Sequence, residues 1–352
     1  MAERTRGVTV AFLAAVLFGA STPFSKWLLG QINPLLLAGL LYLGSGIGLT
    51  LWIGFQRLIL KAKSQEAQLG FKDLPWLAAA ILAGGVVAPI LLMQGLAVTP
   101  ASSASLLLNL EGVFTALLAW FVFKENFDQR IMLGMAAILL GGVLLSWQSR
   151  SELGIPWGAI GIVGACLGWA IDNNLTRKVS AADPAQVACI KGLVAGTTNV
   201  LLAVSIGARL PSTIGLVAAG LLGFLSYGVS LTFFVLALRH IGTARTGAYF
   251  STAPFIGALL SLLILHEHVS FLFWIAGGLM VLGIWLHLTE RHVHLHRHDP
   301  ITHEHLHSHD EHHQHAHLPT DPPGEPHSHQ HRHEELTHAH PHYPDLHHRH
   351  QH

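Results

Sequence analysis

Ten stretches of roughly 20 apolar residues, separated by short polar breaks, fill most of positions 8 to 289. A helix of about 20 residues crosses a hydrocarbon core of about 30 Å. In lipid every backbone N–H and C=O must be satisfied within the segment, so such runs must be helices. The predicted spans are about 8–29, 34–55, 74–97, 101–123, 130–147, 155–176, 185–207, 213–238, 244–265 and 270–289. Buried helices of a large soluble bundle are the alternative, and ten such runs in a chain with 11% charged residues argue against it. The first run is longer than a signal-peptide core and carries Pro23 and Lys26 in place of a small-residue cleavage site. Cys166 and Cys189 fall inside predicted helices and read as small packing residues.

Loop charge sets an expected orientation. With the N-terminus inside, the inner loops carry Arg4, Arg6, Arg57, Lys61, Lys63, Lys72, Lys124, Arg130, Arg177, Lys178, Arg239, Arg245 and Arg291. The outer loops carry Arg150 and Arg209. That asymmetry predicts both termini in the cytoplasm.

The two halves of the membrane part resemble each other. Asn33-Pro34 matches Asp183-Pro184 at an offset of 150, and further on the offset is 142, as for Glu125 and Glu267 or Gly141 and Gly283. Five helices per half is an odd number, so the second half enters from the opposite side. An inverted repeat of this kind is the architecture of many secondary transporters, with a site near the midplane between the halves.

The stretches "LFGASTPFSKWLL", "GLAVTPASSASLLLNLEGVFTALLAWFVFKENF" and "IGTARTGAYFSTAPFIGALLSLLILHEHVS" resemble the drug/metabolite transporter superfamily, in its two-repeat EamA branch. The resemblance covers about residues 8–288 and implies ten helices in a 5+5 inverted arrangement around a central cavity. It says little about substrate, since amino acids, sugars, nucleotide-linked compounds and drugs all occur in the family. The second repeat departs from the first at one place: Ala253-Pro254 stands where the first has Glu111-Gly112.

Few charges lie deep in the helices. A charge at a bilayer centre costs about 2.5–3.5 kcal/mol on insertion scales, so such groups face a cavity or a partner. Glu111 is the eleventh residue of the fourth run and has no cation on its own helix. Read as one continuous helix, that segment puts Asn109 about 200° away from Glu111. A carboxyl alternating between protonated and ligand-bound forms is what a proton-coupled cation exporter needs, whereas the bland reading is a helix-packing hydrogen bond. Asp172, Asn173 and Asn174 are adjacent and cannot share one helix face, so this helix is either broken or surrounded by protein. Lys191, on the same predicted side, is expected to pair with Asp172. Unpaired, it would repel a metal dication and suit a substrate carboxylate. Ser21 and Thr22 match this stretch under the repeat and are candidate cavity residues. Lys26 is expected to snorkel to the interface, and Glu267 in "HEH" to serve a helix end.

Residues 292–352 hold 23 of the 27 histidines. This tail has few large apolar residues and several prolines, so it cannot bury enough surface to offset its ordering entropy and is expected to be disordered without ligand. With a reference pKa of about 6.5, most imidazoles are neutral at cytosolic pH and free to ligate. Candidate ligands are His294, His296, His298, His303, His305, His307, His309, His312, His313, His315, His317, His327, His329, His331 and His333. Imidazole suits Ni, Co, Zn and Cu(II); the tail has no Cys or Met for Cu(I), and no four-ligand spacing of the zinc-finger type. Such a tail is similar to that of nickel- and cobalt-resistance members of the superfamily.

Together these features predict an all-α integral membrane protein with a first repeat over 1–148, a second over 149–289 and a His-rich tail over 290–352. The expected function is non-enzymatic: proton-driven export of Ni²⁺ or Co²⁺ across a bacterial-type inner membrane, with no cofactor required and no nucleotide-binding motif. Expected partners are metal ions or a small-molecule substrate and the lipid bilayer, not nucleic acid; a homodimer remains an option. Two alternatives stay open: an exporter of a small metabolite such as an amino acid, and a membrane-anchored metal buffer or sensor that transports nothing.

Overall fold

The computed structural model describes residues 2–58, 69–123, 129–148, 156–176, 183–241, 243–289, 293–298, 302–307, 327–332 and 336–341. Helices stand in each of the ten expected places. They are α1 (Ala2–Leu29), α2 (Pro34–Leu58), α3 (Leu74–Ala80, a π-helical stretch Ile81–Val87, and Ala88–Val98), α4 (Ala101–Leu107 and Leu110–Phe123) and α5 (Gln129–Gln148). The second half repeats the series as α6 (Trp157–Thr176), α7 (Pro184–Ser205), α8 (Thr213–Gly223, π-helical Phe224–Val229, and Ser230–Ile241), α9 (Thr243–Phe250 and Ala253–Ile264) and α10 (Phe271–Leu288). Among the described residues, eight helical stretches are long and apolar enough to cross a membrane. The outside of the bundle exposes large apolar side chains such as Trp27, Leu51, Leu140, Ile214 and Trp285, as expected of a surface solvated by lipid tails.

The repeat seen in the sequence is visible in the packing. α1 lies against α8 and α9, as α6 lies against α3 and α4. α2 meets α8 as α7 meets α3, and α2–α7, α4–α9 and α5–α10 pair with each other. Exchanging every helix for the one five places on returns these same pairings. Local signals repeat too. Asn33 Oδ1 accepts from Leu35 N at 3.0 Å, and Asp183 Oδ1 from Ala185 N at 2.9 Å, each just before a proline that opens a helix. The central pair, α2 and α7, comes close enough that a Cβ on Gly192 would run into the backbone at Gly46, and one on Gly196 into Leu43.

Both halves are interrupted at matching depths. The π-helical stretches of α3 and α8 fall at equivalent repeat positions, as do the breaks at Leu108–Asn109 in α4 and Ser251–Thr252 in α9. Each break has the same chemistry. Asn109 Nδ2 donates to Leu106 O at 2.9 Å, and Thr252 Oγ1 to Tyr249 O at 2.6 Å, three residues back in both cases. A polar side chain that bonds its own backbone competes with the helical ladder. The reading of α4 as one continuous helix is therefore corrected: Glu111 stands in the first turn of its second piece.

In the tail, four strands are described: β1 (Val293–His298), β2 (Thr302–His307), β3 (His327–Arg332) and β4 (Leu336–Pro341). β1 pairs antiparallel with β4, and β2 with β3. Both ladders keep one register, so they belong to a single reversal of the chain. A two-stranded ribbon alone is marginal in water. His309, His312, His313, His315, His317 and His333 lie outside the described residues, as do Glu125 and the loop cations Lys61, Lys63, Lys124, Arg150, Arg177, Lys178 and Arg291.

Candidate transport site

Three carboxylates are given three different partners by the fold. Glu267 follows α9, where His266 takes a positive φ of 51°. Its two oxygens accept from Ala101 N at 2.7 Å and Ser102 N at 2.9 Å, so it caps α4. Beside it, Lys26 donates to the carbonyls of Leu96, Ala97 and Thr99 at 2.7, 3.0 and 2.9 Å. The expectation that Lys26 snorkels is corrected: its ammonium closes the C-terminal end of α3, where the unpaired carbonyls and the helix dipole attract a cation. Glu267→Ala is expected to lower the thermal midpoint of the detergent-solubilised protein, with a cost of about 1–2 kcal/mol for the two lost N–H partners, as checked by a melting curve beside the parent.

Asp172 is buried on α6, and both its oxygens accept from Lys191 Nζ of α7, at 2.6 and 2.7 Å. Thr176 Oγ1 donates to Asp172 Oδ1 at 2.8 Å and lies 3.3 Å from Lys191 Nζ. The expected ion pair is formed, and it ties α6 to α7. Gly84 in the π-helical stretch of α3 leaves the room it needs, since a Cβ there would collide with the Asp172 carboxylate. Gly84→Ala should therefore cost about 1–3 kcal/mol by overpacking, readable as reduced monodisperse yield after extraction.

Glu111 is half-buried and differs from both. Its Oε1 accepts from Asn173 Nδ2 at 2.9 Å, and Asn173 Nδ2 also lies 3.4 Å from Thr115 Oγ1. Among the described residues no lysine or arginine pairs with it. An amide is a versatile neighbour for such a group: the NH₂ donates to a carboxylate, and the carbonyl oxygen, after a flip, accepts from the protonated acid. Asn173 is exposed, so the pair borders accessible space rather than sealed core.

The remaining expected residues divide. Asn174 is buried, with Nδ2 donating to Ala170 O at 2.9 Å and Thr115 O at 3.3 Å, which joins α6 to α4. α6 is continuous through Asp172, Asn173 and Asn174, so it is not broken there; Asp172 and Asn174 are buried in protein and Asn173 is exposed. Asn109 stands apart from the Glu111 pair and faces α10, with Nδ2 3.7 Å from Met280 Sδ. Ser21 and Thr22 are both buried on α1. Cys166 is buried with its thiol 3.6 Å from Leu107 O, and Cys189 lies 3.0 Å from Thr50 Oγ1.

Aromatic side chains complete the surroundings, and sequence reasoning missed them. Phe18 packs on Tyr227 and Phe250, with ring centroids 5.9 and 5.3 Å apart, and Tyr42 on Tyr227 at 5.5 Å. Tyr42 Oη donates to Gly84 O at 2.8 Å, Trp169 Nε1 donates to the same carbonyl at 2.9 Å, and Asn199 Nδ2 donates to Gly85 O at 3.0 Å. The π-helical stretch of α3 thus offers side chains the carbonyls that a regular helix would use itself. A signal was present. The chain has four tyrosines, and Tyr42 and Tyr227 lie mid-helix rather than at the membrane interfaces where such rings collect.

A broken helix pair between two halves, with a lone carboxylate at the break, is the layout of a secondary carrier. The profile of the EamA-like transporter family matches the chain twice, over residues 5–147 and 156–289. The chain belongs to the EamA-like transporter family. An uncharacterized transporter of Methanothermobacter thermautotrophicus is 28% identical over 297 residues, covering 81% of this chain and 86% of that protein. An uncharacterized transporter of Archaeoglobus fulgidus is 25% identical over 290 residues, 80% of this chain and 96% of that one. The uncharacterized inner membrane transporter YedA of Escherichia coli K12 is 25% identical over 153 residues, 43% of this chain and 50% of its own. One crystal structure shares the fold, with a TM-score of 0.58 at 19% identity, covering 80% of this chain and 97% of that one. This EamA protein is a multi-pass membrane transporter, and its site residues must be read from its own geometry.

Proposed function

We propose that this EamA carrier is a proton-coupled exporter of a divalent transition-metal cation, nickel or cobalt, placed in an inner membrane with both termini in the cytoplasm. One observation carries the reading: Lys191 is neutralised by Asp172 at 2.6 Å, while the Glu111 carboxylate, held by Asn173 of the helix that carries Asp172, has no lysine or arginine partner among the described residues. A site with its positive charge cancelled and a negative charge to spare attracts cations and repels anions. Glu111 then binds either a proton or the cation, and Asn173 can follow both states. Among the described residues no three His, Cys, Asp or Glu gather to hold a metal ion, so the ion passes Glu111 partly hydrated, with amide and hydroxyl oxygens as its other neighbours. The His-rich tail supplies the preference for nickel and cobalt over alkaline-earth ions.

The aromatic rings at Phe18, Tyr42, Tyr227 and Phe250 favour a second reading, a small organic amine or amino acid whose ammonium sits between Glu111 and ring faces. Everted membrane vesicles separate the two. With an inward-acidic gradient imposed, adding Ni²⁺ should release protons from the lumen as metal accumulates, and removal of the chain after Arg291 should raise the metal concentration needed without abolishing flux. Absence of metal-linked proton release, with release on adding amines, would replace the first reading by the second.

A further inference from the structure

One corner of the bundle is clasped, and its repeat counterpart is not. Thr99-Pro100 joins α3 to α4. From α1, Lys26 Nζ donates to the carbonyls of Leu96, Ala97 and Thr99. From beyond the end of α9, Glu267 accepts from Ala101 N and Ser102 N. The corner is thereby tied to two other parts of the bundle. Beside it Ala101–Leu107 is buried throughout and packs on Ala253–Ile264. The fit is tight: Ser105 Oγ donates to Pro254 O at 2.8 Å, and a Cβ on Gly257 would run into Ser105 Oγ. At the repeat offset of 142 these two pieces map onto Thr243–Phe250 and Leu110–Phe123. Those segments are not packed on each other among the described residues. Thr176, which matches Lys26 at the offset of 150, donates to Asp172 instead of to a helix end. An inverted repeat allows two arrangements in which the halves exchange roles. The one observed is closed at the α3–α4 corner.

We propose that the α3–α4 corner is a gate, with Glu267 as its latch and Lys26 as a second fastening, and that releasing them parts α4 from α9 and opens this end of the bundle. The latch needs neither a particular cargo nor a particular orientation in the membrane. Two further observations suit a part that must open. Ser25, next to Lys26, together with Thr99 and Ser102 at the corner itself, carries a hydroxyl that is buried without a partner in the protein. A buried hydroxyl left unpaired is costly, and water satisfies all three once the corner parts. The closed corner thus holds contacts that favour it and unpaired groups that oppose it, which is what a two-state element requires. Glu267 also follows His266, whose φ of 51° is uncommon outside glycine. Backbone held in so sparse a region persists only where its surroundings impose it, and it gathers at clamps and switch segments. Here the turn at His266 precedes the carboxylate that reaches across to α4.

The test reads both ends of the bundle in the full chain, in lipid nanodiscs that leave both membrane faces in solution. Single cysteines replace Ser105 or Thr115 in a Cys166→Ala, Cys189→Ala background. Ser105 is buried in the closed contact, and Thr115 stands beside Asn173 at the exposed Glu111 pair. The probe is a charged, water-soluble thiol reagent, with no metal and no gradient. With Glu267 intact, Ser105→Cys should react more slowly than Thr115→Cys. Glu267→Gln keeps the size of the side chain and removes its charge. It should speed the reaction of Ser105→Cys by about tenfold or more, the scale of one charge-assisted hydrogen bond. It should slow that of Thr115→Cys, because one end closes as the other opens. Lys26→Met should move both rates in the same directions. A cap that only holds the fold together would, when weakened, loosen both ends. Rates that rise together, that stay as they were, or that show any pattern other than opposite shifts in these directions would therefore overturn the latch. The outcome is independent of what is carried, so failure of the export reading leaves it standing, and the reverse.

Discussion

Glu111→Gln is expected to leave a correctly folded carrier that no longer couples cation movement to protons. The substitution keeps the carbonyl oxygen that accepts from Asn173 Nδ2 at 2.9 Å, so the contact between α4 and α6 survives. It removes a charge from the depth of the membrane, which insertion energetics favour by about 2.5–3.5 kcal/mol, so expression and extraction should not suffer. What is lost is the group proposed to exchange a proton for a cation. A hydrogen bond or close contact to a charged partner contributes about 1.5–3 kcal/mol, which corresponds to a roughly ten- to hundredfold weaker hold on the cation at 1.4 kcal/mol per decade. Proton release from everted vesicles on adding Ni²⁺ should fall to the background of membranes without the carrier. Metal-linked proton release at the parent rate would remove Glu111 from the mechanism. Glu111→Asp separates charge from reach: it should retain coupling at reduced rate, because the shorter side chain keeps the carboxylate and gives up the Asn173 contact.

The second large effect is at Asp172 and Lys191. Breaking a buried pair by removing one partner costs about 3–5 kcal/mol, because the other charge is left uncompensated, whereas replacing both can be neutral. Their side chains are 8% and 18% exposed, so solvent offers little relief. Lys191→Met and Asp172→Asn should each lower the thermal midpoint markedly, and the double replacement should recover most of the loss. Transport should divide the two single variants. Asp172→Asn leaves a free ammonium next to the Glu111 site and should suppress cation export beyond its effect on folding. Lys191→Met leaves an extra carboxylate and should not repel the cation. Equal transport defects in both, rescued fully in the double variant, would assign the pair to folding alone.

Much of this arrangement was legible because lipid leaves the chain few choices. Asn33-Pro34 and Asp183-Pro184 match as repeat positions and each caps a helix, and the helix boundaries follow wherever a polar break is flanked by twenty apolar residues. The Asp172–Lys191 pair was legible from cost alone, since two opposite charges at one depth have every reason to meet. The break at Leu108–Asn109 was not. It contains neither glycine nor proline, and Asn109 breaks the ladder only because its amide finds Leu106 O and Met280 of α10. That partner lies 171 residues away in the chain. Lys26 was misread for a related reason: an exposed-end lysine snorkels unless a neighbouring helix happens to end beside it, and α3 does. Tyr42 and Trp169 converge on one carbonyl that a regular helix would have consumed, and no pattern of apolar spacing announces a π-helical stretch. In the tail, the histidines were plain and the fold-back that opposes them was not.

On the proposed export reading, the short connection between α10 and β1 sets the local supply of cargo. Four residues separate Leu288 from Val293, and five chain steps reach at most about 18 Å. A ligand held on so short a tether meets the end of the bundle at an effective concentration in the millimolar range, whatever its concentration in bulk. A single carboxylate between two helix halves makes a poor chelator, and with such a neighbour it has no need to be a good one. On that reading, choosing among ions falls to the His-rich tail, where imidazoles are many. The membrane site is then free to bind loosely and release quickly. On the proposed reading, selectivity and turnover, which oppose each other in one site, are divided between two.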